Sequence, residues 1–243
     1  MPEGDHDPVA AARAEGRTTL TEPEAKALLR SAGVATLESA VADDPERAAD
    51  AAAEIGSPVV VKVSSPAVAH KSEWANGAGV AVGLESREAV AAAAERILEV
   101  AARRGVDAKV LVEAAANVEA GTEMIVGGLR DPSFGPVVLT GLGGVFTEVY
   151  EDTSHRLAPI DRAEAHSAIE DLTAARLLSG FRGRPPADRD ALADAVAAVG
   201  DLLVERDGIA EIDVNPVLAS ADGAVALDAL VVLSEEDGTG VGD

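Results

Sequence analysis

Pro58-Val59-Val60-Val61-Lys62-Val63-Ser64-Ser65-Pro66, followed after three intervening residues by His70-Lys71-Ser72-Glu73, decides how the rest of the chain is read. The apolar run from Pro58 to Val63 has the length and β-branched content of a buried strand. From Ser64 to Gly79 no period continues, which marks a loop. A lysine near the end of so apolar a strand is a compact, flexible point charge suited to a phosphate. The competing reading is a snorkelling side chain at a strand end. His70 stands eight residues on, beside a lysine and a hydroxyl and three residues from a carboxylate, a setting that can orient an imidazole as a nucleophile toward phosphorus. A solvated loop histidine remains open as the alternative.

Upstream, Thr21-Glu22-Pro23-Glu24 has capping-box spacing with an early proline. Ala25, Leu28, Leu29 and Ala32 follow at helical spacing before Gly33. The pattern then predicts strand over 34–41, helix over 45–55, strand over 80–84, helix over 86–104 and strand over 109–113. The stretch 122–149, punctuated by Gly127-Gly128, Gly135-Pro136 and Gly141-Leu142-Gly143-Gly144, reads as antiparallel strands joined by tight turns. Helices over 161–178 and 186–205 and strands over 209–214 and 224–233 complete the pattern. The expected organisation is a mobile leader over 1–19, a first α+β lobe over 20–112, a second over 113–233 and a polar tail over 234–243. The fold class is α/β (α+β), two lobes with a cleft between them, where ligands usually bind.

Composition narrows the chemistry. The 243 residues contain no cysteine, which excludes disulfides, thiolate nucleophiles and cysteine-bound metals. Forty-three acidic against twenty basic residues give a formal charge of -23, which opposes nucleic acid and anionic membrane surfaces as partners. No apolar stretch has the length of a membrane span or a signal peptide, so a cytoplasmic protein is expected. The acid excess is spread along the chain, and the basic residues are sixteen Arg and only four Lys. Such a surface suits a salt-adapted protein, because at molar salt the Debye length falls to about 3 Å and self-repulsion is screened; an ordinary acidic protein is the other reading. A chain this acidic must gather positive charge locally to hold a polyanion such as a nucleotide, so its few lysines are informative.

Three further constellations bear on chemistry. Glu113 and Glu123 bracket a loop after a strand, where backbone groups can take a base edge and a carboxylate can take ribose hydroxyls; exposed glutamates in an acidic chain need no such role. The glycines of 135–144 can present backbone N–H groups to phosphate or simply form turns. They match neither the Walker pattern nor a dinucleotide fingerprint. Glu211, Asp213 and Asn215 fall on one face of a strand by period two, and a neighbouring strand can bring Asp228 alongside. Hard oxygen donors gathered in this way suit Mg²⁺ shared with nucleotide phosphates, with an acidic sheet edge as the alternative.

In order along the chain, Thr21-Glu-Pro-Glu-Ala-Lys26, Val-Val-Val-Lys62, His70-Lys-Ser72, Gly121-Thr-Glu123-Met-Ile-Val-Gly127, Asp131-Pro-Ser-Phe-Gly-Pro136, Gly141-Leu-Gly-Gly-Val-Phe-Thr-Glu148, Arg156-Leu-Ala-Pro159, Arg182-Gly-Arg-Pro-Pro-Ala-Asp188 and Asp213-Val-Asn-Pro216 resemble the ATP-grasp subunit of ADP-forming acetyl/acyl-CoA synthetases, relatives of succinyl-CoA synthetase β subunits. The likeness runs from about Thr18 to Leu233. It implies an ATP-grasp fold and the reversible conversion of acyl-CoA, phosphate and ADP to acid, CoA and ATP. It also implies a CoA-binding α subunit as partner in a hetero-oligomer of α2β2 type. The resemblance assigns His70 as the catalytic phosphoryl relay, Lys62 to nucleotide phosphate, Glu113 to the hinge beside adenine and Glu123 to ribose. Asp213, Asn215 and Asp228 fall to Mg²⁺, with ATP/ADP as substrate. A stand-alone ATP-grasp ligase working through an acyl-phosphate and a non-catalytic nucleotide-binding regulatory subunit are the alternatives. The sequence departs from the family pattern at Glu73, where an Asp is usual, in the longer segment Trp74 to Gly79, at Asp213, where relatives carry Glu, and at His155, a position more often aromatic.

Overall fold

The computed structural model describes residues 7–68, 71, 73–144, 152–180 and 185–234. The chain begins with α1 (Pro8–Ala14), α2 (Glu22–Ser31), β1 (Ala35–Thr36), β2 (Ser39–Ala42), α3 (Pro45–Ile55), β3 (Val59–Ser64), β4 (Val80–Leu84), α4 (Arg87–Arg103) and β5 (Lys109–Ala114). It continues with β6 (Thr122–Asp131), β7 (Gly135–Leu142), β8 (Thr153–Leu157), α5 (Arg162–Glu170), a 3-10 stretch over Thr173–Ser179, α6 (Arg189–Glu205), β9 (Ile209–Ser220), β10 (Gly223–Ala226) and β11 (Leu230–Leu233).

Two sheets divide these strands. The smaller has the order β2-β5-β3-β4, all neighbours antiparallel. One face packs on α3 and α4, where Val59, Val61, Val63, Val110 and Val112 meet Ala48, Ala49, Val90, Ala94 and Ile97 in a closed core. The alternation of the pleat turns Val60, Lys62, Leu111 and Glu113 to the opposite face, with Lys62 beside Leu111 and Val60 beside Glu113 in register. That face looks toward the second lobe.

The larger sheet runs β1-β10-β9-β6-β7-β8, with β11 also paired to β9. Its core gathers Met124, Val126, Val138, Ile212, Val214 and Val217 against the apolar faces of α2, α5 and α6. Two strand glycines have a packing reason rather than a turn role. A Cβ on Gly128 would lie 2.5 Å from Leu203 Cδ1 of α6 and 2.8 Å from Val137 O, so its absence lets helix and sheet close. Gly127 pairs with Asp213 across β6 and β9. The expected turn at Gly127-Gly128 is therefore the middle of a strand.

The N-terminal region departs from expectation. From Asp7 the leader expected to be mobile is ordered: Val9 and Ala12 of α1 are buried in the larger core, and Arg13 reaches Ser234 O at 3.0 Å. Leu20 N donates to Val231 O at 3.0 Å, and β1 runs parallel to β10. Residues 7–36 thus belong with the larger sheet and not with the first lobe. An Ala-rich leader gave little apolar volume to signal this. The strands also differ in detail: the expected strand 34–41 splits into β1 and β2, 224–233 into β10 and β11, and 161–178 is α5 followed by a 3-10 stretch. No described helix is long and apolar enough to cross a membrane.

Candidate functional site

The two lobes meet through charge. On α2, Glu24 accepts the Thr21 backbone N–H at 2.8 Å, which fixes the helix start. Glu22 and Lys26 follow one turn apart on a buried flank of that helix, with Glu22 only 4% exposed and Lys26 fully buried. Lys26 Nζ lies 2.7 Å from Glu22 Oε1, pairs with Glu113 and donates to Leu227 O at 2.8 Å. Lys62, projecting from β3 into the same space, donates to Glu22 Oε1 at 2.8 Å and Leu227 O at 2.9 Å, and lies 2.9 Å from Glu113 Oε2. Lys71 Nζ binds Asp228 at 2.9 and 3.2 Å and stands 3.1 Å from Glu22 Oε2. Three of the chain's four lysines converge on three carboxylates in the interface between lobes.

Electrostatics follows from that packing. Burial pushes the Glu22 carboxyl upward, but Lys62, Lys26 and Lys71 outweigh it and hold it down at about 2. For Lys62 burial opposes the charged form, and Glu22, Glu113 and Asp228 more than compensate, so its ammonium keeps its proton above the ordinary lysine range. Glu22 is therefore an anion and Lys62 a cation throughout the physiological range.

The loop after β3 is pinned back on its own lobe. Val63 N donates to Gly79 O at 2.7 Å. Trp74 packs against the small core, with the Arg104 guanidinium 5.7 Å from its ring centroid, a cation–π distance. A Cβ at Gly79 would lie 2.4 Å from Lys71 O, so only glycine lets the loop return close enough to bring Lys71 to Asp228. His70 and Ser72 lie outside the described residues; Lys71, next in sequence to His70, is in the cluster.

Of the other expected residues, Glu113 is 2% exposed, and its carboxylate is spent on Lys26 and Lys62. It faces the lysines. Glu123 stands apart from the cluster, at the start of β6. Its backbone O accepts Gly143 N–H at 2.8 Å, and its carboxylate approaches Gly144 so closely that a Cβ there would sit 2.7 Å from Oε2. The N–H of Gly143 is thus committed to Glu123. His155 is exposed on β8, opposite Leu139, with β7 and β6 between it and β9.

Asp213 and Asn215 share the open face of β9, while Ile212 and Val214 between and beside them point into the core. Leu230 pairs with Asp213, and Leu227 N donates to Pro216 O at 2.9 Å, so the turn carrying Asp228 runs beside Asn215. Among the described residues no group of three or more acidic or histidine side chains could hold a metal ion. Two carboxylates and an amide oxygen nevertheless fit Mg²⁺, which commonly takes one or two carboxylates and completes its shell with phosphates and water.

Glu22, Lys26 and Lys71 have no site role in the sequence reading. A signal was present: Glu22, Lys26 and Leu29 recur at i, i+4 and i+7, so a charged pair adjoins the apolar stripe of α2.

An ATP-grasp domain model matches residues 11–233, and the chain is 41% identical over 209 residues to the beta subunit of ADP-forming acetate–CoA ligase I from Pyrococcus furiosus, covering 86% of this chain and 88% of that one. The chain belongs to the ATP-grasp β subunits of ADP-forming acyl-CoA ligases. Solved structures of the family agree in fold. Acetyl-coenzyme A synthetase 1 of Ca. Korarchaeum cryptofilum, in complex with coenzyme A and Ca-AMPCP, superposes with a TM-score of 0.87 at 41% identity, over 93% of this chain and 98% of that one. The same enzyme with coenzyme A and Mg-AMPPCP, its phosphohistidine segment pointing towards the nucleotide site, gives 0.82 at 41% identity over 94% and 99%.

Proposed function

We propose that this β subunit binds ADP/ATP between its two sheets and exchanges a phosphoryl group between the nucleotide and His70. In this reading an α subunit carries the CoA chemistry, so that acyl-CoA, phosphate and ADP are converted reversibly to acid, CoA and ATP. The observation that carries the reading is the convergence of Lys62, from β3, and Lys71, next in sequence to His70, beside Asp228 of the other lobe. In an otherwise acidic chain this gathers cations where a phosphate chain would lie, and positioned charge is the main catalytic device in phosphoryl transfer.

Lys62 holds nucleotide phosphate, the backbone after Glu113 meets adenine, and Glu123 takes the ribose. Asp213, Asn215 and Asp228 hold Mg²⁺, which supplies charge neutralisation at the phosphates when bound. In the ATP-consuming direction an imidazole nitrogen of His70 forms a bond to Pγ as the bond from Pγ to the β,γ-bridging oxygen breaks, and ADP leaves with that electron pair. The reverse step regenerates ATP. The dispersed acidic surface suits work in concentrated salt.

Mass spectrometry of the full chain after incubation with ATP and Mg²⁺ tests the relay. An acid-labile, alkali-stable phosphate on His70 is expected. A label on another residue, no label in the presence of the α subunit, or ATP-dependent acyl-CoA formation by this chain alone would overturn it. Gly144→Ala probes the ribose contact, because φ is +74° there and the new Cβ meets the Glu123 carboxylate. The variant is expected to lose about 1 kcal/mol of stability and to raise the KM for ADP about five-fold, read by thermal melting and steady-state kinetics. An unchanged KM would detach Glu123 from the nucleotide.

A further inference from the structure

The two most deeply buried charges of α2, Glu22 and Lys26, have no part in the steps above. Burying a charge is expensive unless it is matched, and an apolar pair of similar volume is often at least as stable. Their presence in the interface therefore asks for a reason beyond stability.

We propose that Glu22 is a positioning residue for phosphoryl transfer: its carboxylate holds Lys62 and Lys71 side by side in the cleft, while Lys26 behind it loosens that hold so that a phosphate can take the two lysines over.

The geometry separates these roles. Glu22 Oε1 is shared by Lys26 at 2.7 Å and Lys62 at 2.8 Å. Oε2 faces Lys71 at 3.1 Å yet has no aligned hydrogen bond. A buried oxygen so loosely bonded is a contact that an incoming phosphate oxygen can replace. Without a shared anion, two ammonium groups on one short segment and its loop would repel and spread apart. With it both ammonium groups stay within 3.1 Å of one carboxylate.

Lys26 has the complementary part. It is fully buried, and its partners are Glu22, Glu113 and the carbonyl of Leu227, so it stays behind Glu22 when ligand enters. When phosphate displaces Glu22 from Lys62 and Lys71, Lys26 remains as its counter-ion, and the carboxylate is never left buried without a charge. The exchange keeps every charge paired before and after.

This inference rests on Lys62 being the phosphate lysine, and the test keeps the two apart. Dissociation constants for ADP with Mg²⁺ are measured by calorimetry on the full chain, and the phosphoryl-exchange rate in the assembled enzyme. Glu22→Gln removes the one anion that both lysines share, leaving Glu113 on Lys62 and Asp228 on Lys71, so ADP should bind about three-fold more tightly while kcat falls about ten-fold or more as the lysines lose their alignment. Lys26→Gln leaves Glu22 to grip Lys62 and Lys71 harder, so ADP should bind about three-fold more weakly. A purely structural role would weaken ADP binding in both variants, and that outcome overturns the proposal. Should a buried amide prevent folding, Glu22→Asp keeps the charge and withdraws it by one methylene; kcat is then expected to fall with ADP affinity unchanged, and an unchanged kcat is the refuting result. If Lys62→Ala leaves ADP binding intact, the phosphate role of Lys62 itself fails. If Lys62→Ala weakens binding but the α2 variants shift it in the same direction, only the present inference fails.

Discussion

A Lys62→Met variant is expected to lose phosphoryl transfer to ADP by about a thousand-fold, the scale of removing a preorganised charge from a phosphoryl or acyl site. Methionine preserves most of the apolar stem, so the loss isolates the ammonium from the packing. The same substitution should lower stability by about 3 kcal/mol. Glu22 and Glu113 are both buried, and each loses a partner that lies within 2.9 Å. They are not left bare, since Lys26 contacts both and Lys71 approaches Glu22, which places the expected cost at the low end of that for breaking a buried pair. Urea titration and an exchange assay on the assembled enzyme measure the two effects separately. Retention of a tenth of wild-type exchange would remove Lys62 from the phosphate site. Normal exchange with lowered stability would reduce it to an interlobe tie.

The fold was legible where periodicity and volume agreed. The run Val59–Val63 alternates core and cleft as the pleat requires, and α3, α4 and α6 lie within a few residues of their expected spans because their apolar stripes are long. The larger sheet was harder to read because it is built from glycine-rich strands. Gly127, Gly128 and Gly141 look like turn residues in sequence, yet they sit inside β6 and β7, where a helix or a neighbouring strand comes too close for a side chain. The parallel pairing of β1 with β10 joins residues about 190 apart, a contact that no local pattern announces. For the candidate site, Lys62 stands out in sequence because its strand is otherwise apolar. Glu22 and Lys26 were hidden because a capping box explains charged residues at a helix start, and only the folded chain shows that this turn faces inward. Asp228 was expected on a strand beside β9 and lies instead in the turn between β10 and β11, and its pairing with Lys71 depends on how residues 73–79 fold back, which Trp74 and Gly79 decide through packing.

Acid should unlock the interface through Glu22. In the folded chain its carboxyl is held at about 2, against an ordinary 4.5, so the folded state binds this proton less readily than the unfolded state does. The stabilisation is complete above about pH 4.5 and is lost progressively as pH falls from there toward 2. A depression of that size corresponds to about 3 kcal/mol across the window. Many of the 43 carboxylates titrate in the same range, so the wild-type curve alone would not isolate it. The difference between wild type and Glu22→Gln does, since the amide has no proton to gain. Urea midpoints in concentrated salt at pH 7, 4.5 and 3 should show the wild-type advantage over the variant at the two higher values and its shrinkage at the lowest. Salt screens the exposed acids but leaves a buried pair largely untouched, so the difference should survive at high ionic strength. A gap that stays constant down to pH 3 would mean that Glu22 is not held ionised by its three lysines. Glu22 would then be a neutral hydrogen-bonding group, and Lys62 and Lys71 would have no shared anion to surrender to phosphate.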